Sequence, residues 1–233
     1  MDIYERSGRF FGEERMKRLG EIRVLLFGVG GVGSWCAEAL VRTGVTHLTM
    51  VDPDVVCASN VNRQLMATSQ NVGRPKVLEL RDRLLAINPN AEIEALQKAY
   101  TAETAADFDF EDYDFVIDAI DSLADKLHLI LQCVRAQRPR LFSSMGAALK
   151  FDSSRVNVAE FWKVKGCPLA RALRQKMKAA GTYPARKFQC VYSDEARPEG
   201  VTPCADGNGS LVHVTAVFGM RLAELVLKNA TAD

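Results

Sequence analysis

The sequence predicts an α/β fold: a mostly parallel sheet with helices on both faces, a small antiparallel addition and a buried C-terminal helix. Three observations point to it. Through the first 145 residues, apolar runs rich in β-branched side chains alternate with segments of helical periodicity. A glycine-rich turn joins the first of those runs to the first strong helical pattern. After Met145 the rhythm changes. With 48% apolar residues in 233, the chain can bury one sizeable core. The expectation is a single domain over 1–233, with a core at 1–145 and, at 146–233, an antiparallel extension, a mobile loop and a final helix.

Each element has its own signal. Arg23 to Phe27, His47 to Asp52, Ile93 to Leu96, Tyr113 to Asp118 and Arg140 to Ser144 read as strands. Val32 to Thr43 follows the glycine turn as a helix, and Lys76 to Ile87 places Val77, Leu80, Leu84 and Ile87 at helical spacing. Thr101 to Asp107 predicts a short helix and Leu123 to Ala136 an amphipathic one. Ala148 to Asp152 and Arg155 to Phe161 predict a hairpin around Asp152-Ser153-Ser154, followed by a basic helix from Pro168 to Ala180. Gly181 to Asn208, rich in Pro, Gly and polar residues, reads as a mobile loop, and Leu211 to Leu227 as a last helix, apolar on most faces.

Composition excludes several classes. No apolar stretch reaches the roughly 20 residues that span a bilayer, and Met1-Asp2-Ile3-Tyr4-Glu5-Arg6 lacks the layout of a signal peptide. A soluble, cytoplasmic protein without membrane contact is expected. Six cysteines occur singly, with no CxxC pair, so neither a zinc site nor a thioredoxin motif is signalled; Cys36 and Cys133 fall on predicted helices and read as core. His47, His128 and His213 show no metal-ligand spacing. The net charge of +1 hides an asymmetry: Lys163 to Lys187 holds eight Lys or Arg and no acidic residue. Such a run is commonly a solvated helix face, and it also suits phosphate contact with a nucleic acid.

The chemistry lies beyond the carboxyl ends of the strands. Gly28-Val29-Gly30-Gly31-Val32-Gly33 between strand and helix lets backbone amides approach a pyrophosphate at a helix N-terminus, as in Rossmann-like folds. Asp52, ending the second strand, can accept hydrogen bonds from ribose hydroxyls. Up to this point NAD, FAD and ATP fit equally. The residues that follow favour ATP, because a polyphosphate attacked by a carboxylate needs cations that a nicotinamide site does not. Arg63 and Lys76 supply two, Asn60 and Gln64 are neutral donors beside the arginine, and Asp121 is placed to hold Mg²⁺ between phosphate oxygens.

With these residues the chain resembles the ubiquitin-activating-enzyme-like adenylyltransferases, which form an acyl-adenylate from a carboxylate and ATP. The resemblance covers nearly the whole chain: the glycine turn, Asp52-Pro53-Asp54, Asn60-Val61-Asn62-Arg63-Gln64, Gly73-Arg74-Pro75-Lys76, Ile87-Asn88-Pro89 and Asp118-Ala119-Ile120-Asp121-Ser122. It implies nucleotide contacts from the glycines, Asp52, Asp54, Asn60 and Gln64, triphosphate binding by Asn60, Arg63 and Lys76, and metal binding by Asp121. Arg9 matches the arginine that the family donates into the neighbouring subunit's site, so a homodimer with composite sites is implied. Cys204 lies where related enzymes place a nucleophilic cysteine.

Within that superfamily the chain is most similar to the tRNA threonylcarbamoyladenosine dehydratase branch. Arg9-Phe10-Phe11-Gly12, Gly30 to Trp35, Val116 to Ser122 and Val191-Tyr192-Ser193-Asp194-Glu195 suggest it, together with the missing zinc cysteines. The chain departs from the branch at Ser143 to Ala148, which is poorer in glycine, and at Asp194 to Asn208, which is shorter. The resemblance implies an ATP-dependent dehydratase and ligase-like adenylyltransferase acting in tRNA modification. Its rivals are activation of the C-terminal glycine of a ubiquitin-like sulfur carrier, with that protein or a sulfur-transfer protein as partner, an NAD- or FAD-binding module, and a catalytically silent scaffold.

Overall fold

The computed structural model describes residues 3–202, 204 and 208–232. The elements run, in chain order, α1 (Glu5–Phe11), α2 (Glu13–Glu21), β1 (Arg23–Phe27), α3 (Gly33–Thr43), β2 (His47–Val51), α4 (Lys76–Ile87), β3 (Glu92–Leu96), β4 (Phe115–Asp118), α5 (Leu123–Cys133), β5 (Arg140–Ser144), β6 (Val156–Glu160), α6 (Pro168–Ala180), β7 (Gln189–Ser193) and α7 (Val212–Ala230). The strands form one sheet in the order β3-β2-β1-β4-β5-β7-β6. All neighbours are parallel except β6, which runs antiparallel to β7.

Side chains alternate across the sheet and build two cores. Val24 and Leu26 of β1 face α3, α4 and α7, whereas Leu25 and Phe27 face α5 and α6. Each fully buried Leu or Phe contributes about 1.5–3 kcal/mol from burial, which explains why the continuous apolar runs settle as central strands. Helix α7 inserts Val214, Phe218, Leu222 and Val226 into the first core. At Gly219 it approaches α3 so closely that a Cβ would lie 2.5 Å from the Val32 carbonyl oxygen. The first turn of α3 is thereby braced from behind. Among the described residues no helix is long and apolar enough to cross a membrane.

The five expected strands and the helices at α3, α4, α5, α6 and α7 are present, with ends shifted by at most three residues. Three expectations are corrected. Thr101 to Asp107 forms only a 3₁₀ turn at Ala105–Asp107, because Thr104 Oγ1 accepts from the Thr101 N–H and donates to the Ala99 carbonyl, diverting the backbone from a helix. Ala148 to Asp152 is not a strand: the Leu149 N–H bonds the Gly209 carbonyl, the Phe151 and Asp152 N–H groups bond the Glu195 carboxylate, and Asp152 caps a 3₁₀ turn at Ser153–Arg155. The partner of Val156–Glu160 is instead Gln189–Ser193, a strand inside the segment expected to be a mobile loop. Helices α1 and α2 had no counterpart in the expectation; α1 buries no residue, and α2 buries only Leu19.

Candidate functional site

A cavity of about 670 Å³ opens at the carboxyl ends of the parallel strands. Its floor is the turn after β1. Gly28 has φ 85°, and a Cβ there would lie 2.7 Å from the Ala119 carbonyl oxygen; at Gly33 a Cβ would sit 1.8 Å from the Gly28 carbonyl oxygen. Only hydrogens fit, so the backbone of the turn and the first turn of α3 come within reach of a ligand. Gly30 and Gly31 line the cavity above them.

Asp52 follows β2 and is buried at the cavity wall. Its Oδ2 accepts from the Val29 N–H at 2.8 Å and its Oδ1 from the Asp54 N–H at 2.9 Å, fixing the carboxylate against the glycine turn. Burial raises its pKa above the ordinary aspartate value, against the pull of Lys76 and those two amides. The isolated bridge Val55↔Pro75 brings the chain after Asp52 beside the start of α4. There the nearly buried Lys76 Nζ donates to Asp54 Oδ2 at 2.6 Å. Asp54 thus positions the lysine.

Arg63 extends over Gly31, which its Cγ would meet at 3.3 Å from a Cβ, and is steered by bonds from its NH1 to the Ser59 carbonyl and Asn62 Oδ1. Trp35 Nε1 holds the Arg63 carbonyl at 3.1 Å. Gln64 is buried at the same wall, and its Oε1 has no hydrogen-bond partner. A buried acceptor left unpaired costs about 1–3 kcal/mol, while the amide Nε2 lies on the Gly30 side, 3.6 Å from where a Cβ on Gly30 would sit, as a donor toward the cavity. Asp121 lines the opposite wall in the turn after β4. That turn is held from below: Asp118 and Lys126, both fully buried, pair at 2.8 Å, Ser143 Oγ donates to Asp118 Oδ2, and Lys126 Nζ donates to the Ile120 carbonyl.

The cavity therefore gathers Gly28, Gly30, Gly31, Asp52, Asp54, Arg63, Gln64, Lys76 and Asp121. Gly33 supports it from within the helix. Asn60 does not line it: its Oδ1 accepts from the Cys57 N–H at 3.0 Å, so it shapes the turn that carries Arg63. Arg9 lies on the exposed α1, paired with Glu5 and away from the cavity of its own chain. Cys204 is exposed and outside the lining, its N–H bonding Asn208 Oδ1 at 3.3 Å. Sequence reasoning missed Lys98 and Asp125, which also line the cavity; their position just past β3 and early in α5 was the available signal.

Among the described residues no group of three or more His, Cys, Asp or Glu could hold a metal alone. A single carboxylate such as Asp121 fits Mg²⁺, which keeps most of its waters and takes further oxygens from phosphates. Of the six cysteines, Cys36, Cys133, Cys167 and Cys190 are buried. Burial pushes the Cys133 thiol up to about 12, so it is inert as a nucleophile.

The model of the ThiF family matches residues 4–233. The tRNA threonylcarbamoyladenosine dehydratase of Bacillus subtilis is 41% identical over 193 residues, 83% of this chain and 75% of that protein. The enzyme of the same name from Escherichia coli is 34% identical over 97% of this chain and 92% of its own. Crystal structures of the Escherichia coli dehydratase with AMP and with ATP superpose with TM-scores of 0.88, each covering 97% of this chain and 93% of theirs, at 34% and 33% identity.

Proposed function

Because the chain belongs to the ThiF family, we propose that it is an ATP-dependent enzyme that adenylates the carboxylate of threonylcarbamoyladenosine in tRNA and promotes its cyclisation with loss of water. The observation that carries this reading is the convergence of Arg63, Lys76, Gln64 and Asp121 on the glycine turn in one cavity. The relatives named as dehydratases of this tRNA base, and the ATP and AMP complexes of one of them, support the substrate.

The residues divide the work by charge. Asp52 accepts the ribose hydroxyls, while the turn at Gly28 to Gly33 and the N-terminus of α3 face the phosphates. The substrate carboxylate attacks the α-phosphorus, the bond to the β-phosphate oxygen breaks, and pyrophosphate leaves. The substrate's own carbamoyl group then displaces AMP from the acyl carbon, loses its N–H proton to solvent and closes the ring. The oxygen lost as water thus departs in AMP. Arg63 and Lys76 stabilise negative charge that grows on the phosphoryl group, an effect that is large in a water-poor site. Mg²⁺ held by Asp121 would supply charge neutralisation for the pyrophosphate. Arg9 reaches the site of a second subunit in a homodimer, and cytoplasmic tRNA is the substrate pool.

Incubation with tRNA carrying ¹⁸O in the threonyl carboxylate tests this. Label recovered in AMP, together with pyrophosphate exchange that requires the modified tRNA, is the expected result. Exchange indifferent to tRNA, or stimulated instead by a diglycine-ended protein, overturns the substrate assignment.

A further inference from the structure

Helix α6 begins at the cavity, where Leu169 lines the wall, and its 13 residues lead away from it. At about 1.5 Å per residue the far end lies roughly 20 Å from the mouth. Two aromatic side chains meet there. Trp162 is 41% exposed and Tyr183 55% exposed, with ring centroids 6.0 Å apart. Trp162 is backed by a packed base: Phe161 stacks on Phe188 at 4.9 Å, Trp162 sits edge-on to Phe161, and Arg174 lies over the Phe161 ring while its NH1 donates to the Phe161 carbonyl. The nearby Glu160 accepts from the Trp162 N–H, so it is directed to the backbone rather than outward.

Cations line the route between mouth and platform. Arg171 and Lys178, seven residues apart, share the helix flank of Arg174, and that flank faces the link holding Lys163 and Lys165. Lys187 adjoins Phe188 at the far end. All five are exposed, and none forms a salt bridge with a described residue. Arg186 differs, being spent on the carbonyls of Val134, Ala136, Gln137 and Pro139. Unneutralised charge alone would suit any polyanion. A pair of exposed rings at its end narrows the ligand, because bases stack on such faces whatever their sequence, whereas an acidic protein has no need of them.

We propose that Trp162 and Tyr183 form a stacking platform for unpaired nucleotides of the tRNA, and that Lys163, Lys165, Arg171 and Lys178 carry the strand's phosphates from there to the adenylation cavity. A span of roughly 20 Å is long enough for a strand to pass several phosphates along the cationic flank. The proposal rests on tRNA being the substrate and adds a sequence-tolerant grip remote from the reacting base.

The test is anisotropy titration of labelled tRNA carrying threonylcarbamoyladenosine against the full chain across a potassium chloride series. Trp162→Ala and Tyr183→Ala should each weaken binding about tenfold without changing the salt slope, Trp162→Phe should retain affinity, and KM for ATP should stay unchanged. Lys163→Gln combined with Lys178→Gln should lower the salt slope by about two. Wild-type affinity in both alanine variants overturns the platform and leaves the activity standing. A change of oligomeric state in those variants also overturns it, since the rings would then belong to a contact between copies of the chain. If the unmodified protein neither binds this tRNA nor forms AMP with it, the platform and the substrate assignment fail together.

Discussion

Replacing Lys76 by Met separates the proposed catalytic charge from the fold. In the structure Lys76 Nζ bonds Asp54 Oδ2 at 2.6 Å, with the lysine side chain 7% exposed and the aspartate 62% exposed. A unit charge about 4 Å from a phosphate oxygen at an effective dielectric near 20 contributes about 4 kcal/mol. Sharing the lysine with the well-hydrated Asp54 takes back about 1 kcal/mol, the worth of an exposed pair. The remaining about 3 kcal/mol predicts a fall in kcat/KM of about two decades. Stability should move by no more than about 1 kcal/mol, since Asp54 stays solvated and Met fills much of the lysine's volume. AMP formation on modified tRNA and urea unfolding, measured on the same preparation, decide the matter. A decline under fivefold, or a loss of unfolding free energy as large as the kinetic effect, would refute the assignment of Lys76 to the phosphates.

Other perturbations read the supporting structure. Gly33→Ala places a Cβ 1.8 Å from a backbone oxygen; a loss of about 3 kcal/mol or more in urea unfolding and the disappearance of ATP binding by calorimetry are expected. Lys126→Met leaves Asp118 charged in a fully buried site, with an expected loss of about 3–5 kcal/mol, whereas adding Asp118→Asn should restore most of it in the same unfolding experiment. Asp52 has a raised pKa in the folded chain, so the native state holds its proton to a higher pH than the unfolded chain does. Its contribution to stability is present below the unfolded value of 3.8 and is lost as pH rises through the raised folded value. If Asp52 accepts the ribose as proposed, the competent carboxylate exists only above that value, so KM for ATP should climb on acidification earlier than an ordinary aspartate allows, and Asp52→Asn should flatten the profile.

The parallel half of the sheet was legible because its strands are buried on both faces and read as unbroken apolar runs such as Val24-Leu25-Leu26-Phe27. Strand β7 was not. Gln189-Cys190-Val191-Tyr192-Ser193 is short and polar at both ends, and it becomes a strand through pairing with both β5 and β6, which no local window contains. Ala148 to Asp152 failed in the opposite direction, its apolar pattern outweighed by long-range bonds to Gly209 and Glu195. Helix α1 buries nothing, so no periodicity announces it. At the site, glycines and motif cations could be read because sterics and phosphate charge restrict those residue types. Asp54 as a partner of Lys76, and Asn60 as the support of the Arg63 turn, follow only from the folded geometry.

The position of Lys76 is itself an argument for a polyanion. It is the first residue of α4, where the helix dipole disfavours a cation, and it is buried, where desolvation disfavours any charge. Asp54 offsets part of both penalties and remains mostly in solvent. Across the cavity the N-terminus of α3 presents a second positive dipole end, and the Gln64 amide stands buried with an unpaired oxygen. A dinucleotide held by the glycine turn alone would require none of these costs. Two helix N-termini, a buried ammonium and a guanidinium facing one volume are individually unfavourable in the free protein, and they become mutually favourable when a chain of phosphates lies between them.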